Sequence, residues 1–152
     1  MRRGVRLGID VGTVRVGVAR SDPEGLMALP VVTLPRGDDD LARIQELVGE
    51  FEALEVMVGL PISMDGNEGV ASMAARDYAD GLAAAIAPIP VRLIDERLTT
   101  VTASRALRES GRTTRSSRSV VDQAAAVVIV QHALESERAS GRPPGHLVTV
   151  NR

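Results

Sequence analysis

Three carboxylates in this chain stand in surroundings that do not suit ordinary surface acids. Asp10 lies in the strand-like run GVRLGIDVGTVRVGVAR, Gly4 to Arg20. There Val5, Leu7, Ile9 and Val11 alternate with Arg6, Gly8, Asp10 and Gly12. Glu96, with its neighbour Asp95, closes an aliphatic run that begins at Val91. Asp122 falls in VVDQAAAVVIVQHAL, a stretch apolar almost all round and of the kind normally buried as a helix. A carboxylate is costly to bury unless it meets a cation or hydrogen-bond donors. Three of them converging from separate elements make a hard-oxygen site for Mg²⁺ or Mn²⁺. A pair of such ions can activate water and stabilise the leaving oxygen in phosphodiester hydrolysis.

Each acid also has a local reading. Asp10 could form a turn, its side chain bonding backbone near Gly12. The glycines on either side of it, Gly8 and Gly12, equally leave room for a ligand or another backbone. Asp95 and Glu96 are adjacent, so in a strand they point to opposite faces. At most one enters a common site, and the other could pair with Arg92 or Arg97. Ser119-x-x-Asp122 matches a capping box. Taken together the three acids favour the site, because a near-continuous aliphatic helix is a poor place for a carboxylate needed only as a cap. His132 and His146 are isolated, and His132 reads as lying on the exposed end of its helix.

The net charge is −2, so nucleic-acid binding does not follow from overall charge. The distribution is more informative, since Arg97 to Arg118 carries six arginines against the single acid Glu109. Phosphate neutralisation next to a metal site is physically sensible. Arg112, Arg115 and Arg118 lie in a predicted loop of Arg, Ser and Thr between Glu96 and Asp122. The single Tyr and single Phe in the chain argue against recognition by base stacking. Backbone and shape must carry it.

The elements that position these residues read as strand, strand, strand, helix, strand, helix, strand, helix, helix. The third strand, Met27 to Leu34, is interrupted by Pro30 and suits an edge. Asp38, Asp39 and Asp40 suit the start of a helix through Glu52. Val56 to Leu60 is a short apolar strand of buried type. A long helix follows, lined by Ala71, Ala74, Tyr78, Leu82 and Ile86 and closed by Pro88. Val91 to Leu98 is a strand, and a helix from Thr99 or Thr100 to Ser110 ends at Gly111. The last helix starts at Ser119. Antiparallel strands followed by alternating strand and helix predict an α/β fold, a mixed sheet covered by helices. Ligands in such sheets gather at strand C-terminal ends, where Asp10 and the Asp95–Glu96 pair both fall.

The length of 152 residues suits one domain, spanning 1–139, with a loose tail at 140–152. Leu147 to Val150 could add a small strand or dock on the body. The chain has no cysteine, so disulfides and thiolate metal sites are excluded. The longest aliphatic run, Ala124 to Val130, is too short to span a bilayer. Strand pattern begins directly at the N-terminus, with no secretory signal. The expectation is a cytoplasmic protein.

Four blocks together carry a resemblance: GIDVGTVRVGVA (Gly8 to Ala19), VGLPISMDG (Val58 to Gly66), DERLTT (Asp95 to Thr100) and VDQAA (Val121 to Ala125). In order and spacing they resemble the YqgF-type proteins, the pre-16S rRNA nuclease family, also described as Holliday-junction-resolvase-like. The match covers roughly residues 4 to 135. The resemblance implies a ribonuclease-H-like fold with a five-stranded mixed sheet flanked by helices. It implies an acidic, metal-binding catalytic triad of Asp10, Glu96 and Asp122, with Asp95 ranked second within its motif. Arg15 and Arg97 match motif arginines, and with Arg112, Arg115 and Arg118 would hold phosphates. Val14 stands where a Lys is common, and Thr113 to Arg118 is less basic than the lysine-rich version of that loop. Both departures weaken phosphate contacts without touching the triad.

The leading expectation is therefore a nuclease dependent on Mg²⁺ or Mn²⁺, a monomer or weak homodimer that acts on structured nucleic acid away from membranes. The implied reaction is maturation of the 5′ end of pre-16S rRNA. A resolvase cutting branched, four-way DNA shares the same chemistry, and a two-fold junction would favour a dimer. A non-catalytic nucleic-acid-binding module in transcription or ribosome assembly is a third reading. The sugar-kinase, actin and chaperone ATPases share a phosphate loop like Gly8 to Thr13, but they need two lobes and this chain has length for one.

Overall fold

A computed structural model describes residues 1–63, 65–96 and 115–150, with the side chains of 115–122 outside that description. Six strands and three helices are described: β1 (Arg6–Val11), β2 (Arg15–Ser21), β3 (Ala28–Pro35), α1 (Asp40–Glu50), β4 (Glu55–Leu60), α2 (Val70–Ile86), β5 (Val91–Asp95), α3 (Arg115–Ser140) and β6 (His146–Leu147). The sheet runs β3-β2-β1-β4-β5-β6. β1, β4 and β5 are parallel, while β2, β3 and β6 run antiparallel to their neighbours.

Every residue of β1 and of β4 is buried, because helices cover both faces of the sheet. On one face Leu7, Ile9 and Val11 join Val56, Val58, Leu60, Val91 and Leu93. There they pack with Ile44, Leu47 and Val48 of α1 and with Ala79, Leu82 and Ile86 of α2. On the other face α3 lies across β1 to β4. Its residues Ala125, Ala126, Ile129, Val130, Ala133 and Leu134 are buried. Burying Ile129 or Val130 contributes about 1.5–3 kcal/mol each. The polar half of β1's alternation is thus roofed by α3 rather than open to water.

The order of the described elements and the Pro-bearing edge strand β3 follow the sequence reading. Six strands replace the expected five because His146–Leu147 pairs antiparallel with Leu93 and Arg92, at the start of the segment read as able to add a small strand. A second correction concerns the start of the last helix. It begins at Arg115, not Ser119, so Arg115 and Arg118 belong to its first turn rather than to a loop. Gly111 is the last helix breaker before Ala125, and Arg and Ser continue a helix at small cost. Ser119 is consequently inside the helix and has no N-terminus to cap. The expected helix from Thr99 or Thr100 to Ser110, the residues Arg97 and Arg112, and Met64 lie outside the described residues.

Candidate active site

The first acid is held by strand pairing. Asp10 sits in β1, fully buried, opposite Gly17 of β2. Gly17 in turn pairs with Thr33 of β3. On the other side Ile9 pairs with Val58 of β4, so the next residues along, Asp10 and Gly59, are neighbours across that parallel pair. Paired residues share a face. The row is therefore Thr33, Gly17, Asp10, Gly59, with a glycine on each side of the acid. Gln123 of α3 donates from Nε2 to Thr33 Oγ1 at 3.1 Å and ties the helix to this row.

The second acid comes from the end of β5. Ile94 pairs with Gly59 and belongs with Met57 and Ile129 to the cluster under α3. Glu96, two residues on, lies on the same face and is fully buried. Its carboxylate lies over Gly59, since a Cβ built there would be 2.3 Å from Glu96 Oε1. Asp95, half-buried, takes the opposite face. Of the adjacent pair, Glu96 is the one on Asp10's side.

The direction of α3 relative to the sheet gives the position of the third acid. A Cβ on Gly8 would come within 2.3 Å of Val130 Cγ2 and 3.0 Å of the Ala126 carbonyl oxygen, so the helix backbone rests directly on β1 there. Further on, Glu137 meets Arg6, nearer the start of β1. The helix thus runs against β1. Residue 122, four before Ala126, is about 6 Å back along the helix axis. Two residues of strand from Gly8 to Asp10 span about 6.6 Å. Position 122 is therefore one turn toward the strand ends where Asp10 and Glu96 lie. Arg15, half-buried, begins β2 two residues before Gly17, on the same face and beside the same strand end. His132 is ten residues beyond Asp122 on α3, and His146 is exposed in β6.

The other end of the α3–sheet interface holds a second set of charges. Arg6 and Glu55 are fully buried there, and Glu137 nearly so. Arg2 bonds both Glu55 and Glu137, Arg6 meets Glu137 at 2.9 Å, and Arg92 meets Glu55 at 2.8 Å. Burial disfavours the charged form of Glu137, but bonds from Arg2 and the charges of Arg6 and Arg2 outweigh it and hold its pKa below the ordinary value. Arg92 was a sequence candidate for pairing with the Asp95–Glu96 acids. It serves Glu55 instead, because strand alternation sends it to this end of the face.

Of the two occupants expected at Gly8, a ligand or another backbone, it is the backbone of α3 that fills it. Gly12 closes the turn, its N–H donating to the Arg15 carbonyl at 2.8 Å. The glycines beside the carboxylate across the sheet are Gly17 and Gly59, on neighbouring strands. The Arg15, Gly17, Ala19 alternation in β2 was the available signal for the first. A cavity of about 780 Å³ lined by Thr13, Arg36, Asp38, Asp77 and Tyr78 lies on the α1–α2 side and is separate from this row. Among the described residues no three acids or histidines are gathered as a metal-binding group. Asp10 and Glu96, buried on one face of the sheet, are hard-oxygen donors of the kind that a divalent cation takes.

Residues 4–136 match the model of a family described as RuvX, Holliday junction resolvase. A protein of Streptomyces coelicolor named "Putative pre-16S rRNA nuclease" is 57% identical over 152 residues, covering 99% of this chain and 91% of its own. One of the same name from a Nocardioides species is 56% identical, covering 97% and 98%. Among solved structures, Thermus thermophilus RuvC in complex with a Holliday junction substrate superposes with TM-score 0.54 at 19% identity, over 92% of this chain and 99% of that one. At that identity the likeness speaks to the ribonuclease-H-like fold alone.

Proposed function

Because the chain belongs to the RuvX family, we propose that it is a divalent-metal-dependent endonuclease of structured nucleic acid, and that its substrate is the 5′ extension of pre-16S rRNA. The observation that carries the chemistry is the pairing of Asp10 with Glu96, two buried carboxylates on one face at the C-terminal end of β1 and just past that of β5. The choice of RNA rests on the name of the relatives at 56–57% identity. The Holliday junction description of the family supports a second substrate reading, four-way DNA, by the same chemistry.

In this reading Asp10, Glu96 and Asp122 hold Mg²⁺ or Mn²⁺, which supplies water activation and charge neutralisation at the phosphate. Arg15, beside the same strand end, neutralises a non-bridging phosphate oxygen, with Arg97, Arg112, Arg115 and Arg118 as further phosphate contacts. Gly17 and Gly59 keep the sheet surface low on both sides of Asp10. Water attacks phosphorus in line, the bond to the 3′ oxygen breaks, and that oxygen takes a proton. The products are a 5′-phosphate and a 3′-hydroxyl. Beyond the nuclease domain, 1–139, β6 adds an edge strand to the sheet, and residues 140–152 take no part in the chemistry.

The test is incubation of the purified protein with a 5′-extended 16S precursor fragment and with a four-way DNA junction, each with Mg²⁺, Mn²⁺ or EDTA. Metal-dependent cutting of the RNA that Asp10→Asn abolishes is the expected result. Cutting of the junction alone would transfer the reading to a resolvase, and binding without cutting of either would replace it with a non-catalytic module.

A further inference from the structure

We infer that Gly59 is a positioning residue for Glu96. Lacking a side chain, it lets the Glu96 carboxylate cross over β4 toward Asp10, and so sets the affinity of the acid pair for a divalent cation. The inference rests on the metal-site reading above.

The strand order makes the crossing necessary. β4 lies between β1, which carries Asp10, and β5, which leads to Glu96. Two strand spacings separate their backbones, about 10 Å. Carboxylate oxygens bind Mg²⁺ at about 2.0–2.1 Å, so one side chain must reach across the middle strand. Glu96, with one methylene more than an aspartate, does so. Its carboxylate occupies the space where residue 59 would carry a Cβ, at 2.3 Å for Oε1 and 3.2 Å for Cδ. No real Cβ tolerates the first distance, so a side chain here displaces the carboxylate. The same Cβ would also lie 2.5 Å from Ile129 Cδ1 of α3, a packing conflict that is separate in origin. Valine lacks that methyl, so Ile129→Val removes the packing conflict and leaves the one with Glu96.

Full-length protein is titrated with Mn²⁺ by calorimetry and melted by circular dichroism. The variants are Gly59→Ala, Glu96→Ala, their combination, Ile129→Val, and Gly59→Ala with Ile129→Val. Gly59→Ala is expected to weaken Mn²⁺ binding about tenfold or more, the scale of lost ligand positioning, and to add no further loss in the Glu96→Ala background. With Ile129→Val the melting temperature recovers but the affinity does not. In cleavage assays kcat falls while KM is unchanged. Full Mn²⁺ affinity in Gly59→Ala would overturn the inference. So would an equal loss with and without Glu96, or restoration of affinity by Ile129→Val. Failure of the underlying reading has its own signature: Mn²⁺ binding unchanged in both Asp10→Asn and Glu96→Gln.

Discussion

The two ends of the interface between α3 and the sheet bury acids among different neighbours. At the end near the start of β1, Glu55 and Glu137 are held by Arg2, Arg6 and Arg92. At the end near the close of β1, Asp10 has glycines as its cross-strand neighbours, and Glu96 lies over one of them. Both ends take carboxylates out of water, which costs several kcal/mol per ion before compensation. The first end supplies the compensating cations from its own side chains. At the second, the residues beside Asp10 across the sheet are glycines, and Glu96 shares its face. Between them, Gly8 lets α3 rest on β1 and sets the distance between the two.

The contrast predicts opposite phenotypes. Asp10→Asn should cut phosphodiester cleavage by more than about 100-fold, since even outer-shell changes at metal sites cost roughly 10–100-fold. Its melting temperature should fall less than that of Glu137→Ala; an equal fall would mean that this end is structural too. Glu137→Ala should do the reverse. It strands the buried Arg6 guanidinium, a loss of about 3–5 kcal/mol, measurable in urea unfolding, while cleavage per folded molecule is retained. Gly8→Ala tests the middle: a Cβ pressed into Val130 should cost about 1–3 kcal/mol, read as a lower urea midpoint.

Two smaller effects sharpen the picture. Arg15→Ala should weaken nucleic-acid binding evenly across sequences and reduce the salt slope of log affinity by about 1, as expected for one lost phosphate contact. A slope that does not change would remove Arg15 from the interface. The pH dependence is the gentlest. Glu137 has a folded pKa below its ordinary value, so its ionised form is favoured by folding. That stability is fully present above the ordinary value and is lost as pH falls through the folded one. Unfolding followed by acid titration should therefore steepen below about pH 4.5, and Glu137→Gln should flatten that limb.

Much of this was legible in the chain because local patterns were strong. The alternation in β1 identified a strand with one aliphatic face, and the aliphatic run around Asp122 identified a buried helix. Glu96 was separable from Asp95 only as one of two opposite faces, and neither residue says which face α3 covers. Arg92 shows the same limit. Its type suggests an ion pair, but its partner, Glu55, is 37 residues away and adjacent only through the β4–β5 register. The start of α3 was misread because Arg and Ser are nearly neutral between helix and loop, so Ser119 looked like a cap.

What the sequence by itself determined is the set of elements, their order and the acids they carry, since hydrophobic period and turn chemistry are local properties. Which glycines matter was decided only by tertiary structure. Gly8 and Gly12 flank Asp10 along the chain, yet one is filled by a helix and the other closes a turn. Gly17 and Gly59 flank it across the sheet, seven and 49 residues away, and the space they leave exists only once the strands are paired. A side chain's neighbours in a sheet are set by register, and register is fixed by the packing of whole faces rather than by the residues on either side.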